Sequence, residues 1–193
     1  MSLESLLKPI QWADEQVLRY YTKKTEAWEE KGRSKYSLAQ ICNVAAACAN
    51  LFYSGVLGNY AGLPIFLVQG SDLTRNIKEP SYKKDTTTGE NTALPVTIQI
   101  ARTIAAYTRF PLFISGAALL VKGIVDIMTF AATRETEPLA NALENLSLGY
   151  AMLGTASSMY IKDSDPKLLG KKPIEEWIHQ LELRPIPVRV RKE

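Results

Sequence analysis

At 193 residues the chain is long enough for one domain with a real core and short for two. Its formal net charge of +3 is too small to argue for a nucleic-acid partner. One histidine, His179, far in sequence from Cys42 and Cys48, gives no support to a bis-histidine haem, a His-based zinc site or a Ser-His-Asp triad. No phosphate-binding glycine motif is present, so no cofactor, metal or catalytic residue is nominated. The mean hydropathy of −0.09 resembles that of a soluble protein. That average hides segregation, because Tyr36 to Ser71 holds no Asp, Glu, Lys or Arg while charge crowds into 1–35, 72–92 and 162–193. A bilayer imposes this kind of segregation.

Residues 1–35 open with neither the basic-then-apolar pattern of a secretory signal nor an Arg-rich, acid-poor transit peptide. Residues 10–30 read as an amphipathic helix, with Ile10, Ala13, Val17, Tyr21 and Trp28 at helical spacing and Pro9 in its first turn. The uncharged block, 36–71, begins with a helix candidate of about 20 residues. Along it Gln40, Asn43, Ala47, Asn50, Ser54 and Gly58 make a small, polar stripe suited to close helix packing. Gly58 and Gly62 form a literal G-x-x-x-G, a motif with many false matches. The block either spans as one long helix with a kink or turns near Gly58-Asn59, as the glycines favour, in which case LPIFLVQG is too short to cross a bilayer and re-enters. Cys42 and Cys48, if on one helix, lie about 240° apart around it and cannot bridge.

Residues 72–95 read as a polar loop. The segment 96–162 then reads as a lead-in helix over 96–109, a bend or new start at Pro111, and two spans, 111–133 and 138–161, joined by the tight RETE link. In the first span Ser115, Ala118, Lys122, Asp126, Thr129 and Thr133 share one narrow seam of an otherwise apolar helix. Counting outward from RETE sets Asp126 level with Asn145 and Lys122 level with Gly149. The seam is therefore expected to face the second span, with Lys122 held between Asp126 and Glu144 and with Asn141 and Asn145 adding hydrogen bonds. Its role is either interhelical glue or an ion or proton path. Residues 163–193 carry a short amphipathic helix over 173–182, including Trp177, and an extended basic tail in which Arg184, Arg189 and Arg191 suit contact with a partner or anionic lipid.

The expected fold is all-α: a small integral membrane bundle of two to four hydrophobic helices with amphipathic helices at either end, or alternatively a soluble helical bundle. Basic residues flank every segment except RETE, where Arg134 is outnumbered by Glu135 and Glu137. The positive-inside rule then puts both termini on a cytosol- or matrix-like face. With no catalytic constellation, the pattern points to an accessory or structural subunit of a larger membrane complex, with the lipid bilayer and other subunits as partners and a homo-oligomer as an option. Alternatives of other classes are a membrane-shaping hairpin protein, an ion or proton conduit through Lys122, Asp126 and Glu144, and a soluble helical interaction protein.

Overall fold

The computed structural model describes residues 3–86 and 96–164, with side chains over 8–77 and 96–164. Every element among them is helical: α1 (Leu3–Glu29), α2 (Lys35–Leu51), α3 (Leu63–Thr86), α4 (Val96–Thr133) and α5 (Thr136–Asp163). The expected helix at 173–182 and the tail bearing Arg184, Arg189 and Arg191 lie outside the described residues, as does Trp177.

α5 is the central helix and touches the other four. Two antiparallel pairs are built on it, α2 with α3 and α4 with α5. The first turn comes where the sequence places it. α2 runs on through a π-helical turn, Phe52–Val56, and Gly58, at φ +69°, supplies the left-handed residue that reverses the chain. Asn59 then accepts the Ala61 N–H at 3.1 Å and starts the 3-10 turn Tyr60–Gly62 that leads into α3. Gly58 is thus an exposed turn residue, and the G-x-x-x-G is not a helix-packing motif. At the second turn Arg134 takes φ +62°, and Thr133 Oγ1 accepts the Glu135 N–H at 3.2 Å. Both pairs open toward the same end, where Lys35 Nζ at the start of α2 donates to the Ser164 carbonyl after α5 at 3.1 Å.

Two expectations need correction. The polar stretch after Gly70 is helix rather than loop: α3 has 24 residues, about 36 Å at 1.5 Å per residue, and continues well past the apolar run LPIFLVQG. Its turn-prone residues are held helical because Gln69, Asp72, Arg75 and Asn76, spaced as one helical face, are all buried. Pro111 starts no new helix. α4 runs through it for 38 residues, since proline withholds one N–H bond while Arg109, Leu112 and Phe113 on either side are tied into the core.

Glycines set the helix spacing. A Cβ on Gly116 would lie 2.8 Å from the Leu153 nitrogen and 2.9 Å from the Gly149 carbonyl oxygen, and one on Gly149 would meet the Gly116 carbonyl at 2.9 Å. α4 and α5 therefore cross backbone to backbone. Gly154 does the same for α5 on α2, where an added Cβ would sit 2.9 Å from Ala46 Cβ.

The distribution of polarity is inverted. Fully buried side chains include Asn50, Asp72, Arg75, Thr155 and Ser158. Exposed ones include Val44, Leu51 and Val56 on α2, Leu63 and Leu67 on α3, and Val121, Ile124, Val125 and Met128 on α4. Among the described helices α4 alone combines the length and apolar composition of a bilayer span. α5, expected as a second span, carries Glu144, two asparagines and a row of Ser and Thr, and falls short on composition.

The packing predicts opposite outcomes for two glycines. Gly149→Ala is expected to cost about 1–3 kcal/mol by forcing α4 and α5 apart. Gly70→Ala, exposed on α3 with nothing within 4 Å of the added methyl, is expected to stabilise by up to about 1 kcal/mol. Thermal unfolding of the two variants checks the signs.

Candidate functional site: a buried ionic and amide core

α1 lies across the open end of the bundle on a face made by Asp14, Leu18, Tyr21, Thr22 and Thr25. This is slightly offset from the apolar face read in sequence, of which Ala13, Val17, Tyr21 and Trp28 are half-buried and Ile10 is exposed. Thr22 and Thr25 can be buried because each hydroxyl donates to the carbonyl four residues back, at 2.9 and 2.7 Å. Tyr21 stacks on Tyr160 of α5 with ring centroids 5.3 Å apart, and its hydroxyl meets Ser157 Oγ at 2.5 Å.

From here an alternating chain of charges crosses four helices. Arg109 of α4 grips Asp14 of α1 with two bonds, Nε to Oδ1 at 3.1 Å and a terminal nitrogen to Oδ2 at 2.6 Å. Its other terminal nitrogen donates to Asp163 Oδ2 of α5 at 2.8 Å. The second Asp163 oxygen pairs with Arg75 of α3. Tyr160 completes the group by donating its hydroxyl to Asp14 Oδ1 at 2.5 Å and placing its ring 5.1 Å from the Arg109 guanidinium carbon. Arginine suits this position because its planar fork serves two carboxylates at once.

One turn deeper, Asp72 of α3 is the second node. Asn43 Nδ2 of α2 and Ser158 Oγ of α5 both donate to its Oδ2, at 3.1 and 2.6 Å. Lys162 Nζ lies 2.5 Å from its Oδ1 and donates to its backbone carbonyl at 2.7 Å. Deeper still, Asn50 donates to the Gly62 carbonyl at 3.1 Å and to Gln69 Oε1 at 3.4 Å, and Gln69 passes the chain on to Thr155 Oγ1 at 3.0 Å. Gly62 is needed there, since a Cβ would fall 2.2 Å from Asn50 Oδ1. Asn43 Oδ1, Asn50 Oδ1 and Ser54 Oγ, all on the inward face of α2, are buried with no hydrogen-bond partner among the described residues.

At the open end, just past the apolar run of α5 that closes with Ile161, burial and charge act in opposite senses. Burial tends to raise the Asp163 carboxyl, but Arg75 and Arg109 outweigh it and hold it down to about 2. Burial pushes Lys162 down to about 8 against the pull of Asp72.

The seam read from sequence is divided differently. Asp126 and Asn145 do meet: Asn145 Nδ2 donates to Asp126 Oδ2 at 2.8 Å, the level the RETE count gives. Lys122 is not between two carboxylates. It is exposed, with no hydrogen bond or ion pair to any described residue, and Gly149 faces Gly116, Leu119 and Leu120 instead. Asn141 is exposed, and Glu144 is half-buried toward Tyr53 on the α2 side. On α2, Asn43 and Asn50 are buried, Ala47 and Ser54 half-buried, and Gln40 exposed. Both cysteines are free. The ionic core itself was missed. Its signal was the pairing of Asp72, Arg75, Arg109, Lys162 and Asp163 at the ends of apolar runs, which reads as ordinary flanking charge.

No family model, no curated protein and no solved structure matches the chain. Among the described residues no three His, Cys, Asp or Glu side chains gather as a metal site.

Removing Arg109 leaves Asp14 with the Tyr160 hydroxyl alone and Asp163 with Arg75 alone, both in a largely buried setting. Arg109→Met is therefore expected to cost about 3–5 kcal/mol of unfolding free energy. Asp163 gives a pH signature. Its folded pKa lies below the ordinary value of 3.8, so its contribution of about 2 kcal/mol is complete above pH ~5 and is lost as the pH falls through about 2. The stability gap between wild type and Asp163→Asn should be constant from pH 7 to 5 and shrink below pH 4.

Proposed function

We propose that the chain is an integral membrane helical unit serving as a non-catalytic, structural or accessory subunit of a larger membrane complex. The observation that carries this reading is the inversion of polarity, with charged and amide side chains buried between helices that expose Val, Leu, Ile and Met. In water such a surface would drive aggregation. In hydrocarbon it is the stable arrangement, provided that the backbone is helical and polar groups are turned inward.

In this reading α2, α3, α4 and α5 cross the bilayer with their polar faces together, and α1 lies at the interface with Trp12 and Tyr20 outward. The open end, with Lys31, Arg33, Lys35, Arg102, Arg109 and Lys162, takes the positive-inside face. The closed end, with Arg134 beside Glu135 and Glu137, takes the other. The accessory role draws support from the ionic core, whose charges are spent on one another and on fixing the helices. A second reading, a conduit for protons or ions, is favoured by the unpartnered oxygens of Asn43, Asn50 and Ser54 along α2. It would run between α2, α3 and α5 rather than along the α4–α5 seam. A flux across proteoliposomes that disappears in Asn50→Leu would favour it.

The primary test is extraction of native membranes with alkaline carbonate and then mild detergent, followed by native-gel sizing. Retention through carbonate and migration in one defined complex well above the 21.5 kDa of the chain is expected. Release by carbonate would overturn the membrane reading, and a monomer in mild detergent would overturn the subunit reading.

A further inference from the structure

Lys122, exposed near the middle of α4, takes no part in the ionic core formed by the described residues. It stands near the midpoint between Arg109 and Arg134, about 18–20 Å from each along the helix axis, and so at the depth where the hydrocarbon centre falls if α4 spans. Its neighbours Val121, Ile124, Val125 and Met128 are all exposed and apolar. The nearest anion in sequence, Asp126, turns toward α5 and accepts from Asn145. A four-carbon lysine stem does not reach either membrane surface from mid-depth, so snorkelling offers no escape. A lone ammonium at this depth costs several kcal/mol.

The face around it is shaped for another helix. Ser115, Ala118, Lys122, Val125, Thr129 and Ala132 alternate three and four residues apart, the spacing of a left-handed helix-pair seam, and all six are exposed. Five of the six are small or β-branched, which lets a second backbone come close. We infer that this face of α4 docks a transmembrane helix of another protein carrying an Asp or Glu at mid-depth, with that carboxylate paired to Lys122. A second copy of this chain is the poorer occupant. Two copies share one topology and would pack α4 parallel to α4, which sets Lys122 opposite Lys122 in a medium where like charges repel most strongly. The inference rests on the membrane reading and names the chemistry of the subunit's partner.

The test uses the full chain reconstituted in phosphatidylcholine vesicles and labelled for energy transfer. The probes are four Leu/Ala transmembrane peptides that differ only at their central residue: Asp, Asn, Lys or Leu. The wild-type chain should associate with the Asp peptide roughly tenfold more tightly than with the Leu peptide. Lys122→Leu should erase the preference, and Lys122→Glu should transfer it to the Lys peptide. Lys122 makes no hydrogen bond or ion pair to a described residue that these variants would break, and resistance of each reconstituted variant to carbonate establishes that it is inserted. Inserted protein that does not discriminate among the peptides overturns the inference and leaves the membrane reading standing. Transfer between wild-type copies that vanishes in Lys122→Leu overturns it in favour of self-association. Protein stripped off by carbonate overturns both readings.

Discussion

The alternating chain Asp14–Arg109–Asp163–Arg75 is the constraint on which the rest of this molecule depends. Buried charges are tolerated only when each meets its opposite and its remaining hydrogen-bonding sites are filled. Here that condition fixes the relative height of four helices at once: α1 through Asp14, α4 through Arg109, α5 through Asp163 and α3 through Arg75. α2 is tied to the same level by Lys35 to the Ser164 carbonyl and by Asn43 to Asp72. A slip of one residue in any of these helices rotates its charge by 100° and strands the others. Register is therefore set by electrostatics at the open end. Close backbone contact at Gly116, Gly149 and Gly154 sets it further along.

The same constraint explains why the protein turns its polar groups inward and its aliphatic ones outward. An interior built on ionic and amide contacts needs specific partners rather than bulk apolar volume, and it has them from Asp163 down to Gln69 and Asn50. Little aliphatic volume remains for the interior. Among the described residues half of the buried apolar side chains are alanines, and the rest are Leu18, Tyr53, Ile65, Ile98, Met159, Tyr160 and Ile161. The larger aliphatic side chains are left on the perimeter, where a bilayer or partner helices are their natural solvent. Fold, packing and proposed location are thus one statement about where charge can be kept. Lys122 tests that statement, being a perimeter position whose charge meets no hydrogen bond or ion pair among the described residues.

Much of the architecture was legible in the sequence because it rests on short-range rules. Helix content, the reversal at Gly58-Asn59, the RETE turn and the level of Asp126 with Asn145 follow from periodicity, a left-handed glycine and counting. The inward faces of Asn43 and Asn50 were readable because polar residues on an uncharged helix have few places to go. What was not legible depends on long-range pairing. Residues 70–86 look like a loop until Asp72 and Arg75 find Lys162 and Asp163 some 90 residues later, and nothing local announces that meeting. The seam on α4 is offset by about one residue around the helix for the same reason, so that Asp126 at its edge still meets Asn145 while Lys122 does not face α5. Small and polar residues at four-residue spacing mark a packing face without saying which neighbour packs there. Gly116 and Gly123, one step around the helix, took α5 instead.

The measurement that bears most directly on the inverted core is spin-label accessibility at single cysteines introduced into the reconstituted protein in place of Val44, Leu67, Val121 and Asn50, with Cys42 and Cys48 replaced by serine. Labels at Val44, Leu67 and Val121 should collide freely with lipid-soluble oxygen and hardly at all with a water-soluble nickel chelate. A label at Asn50 should be immobilised and shielded from both. Strong chelate collisions at all three perimeter positions would mean that these faces meet water, and the account of an inward-turned polar core in a membrane protein would be wrong.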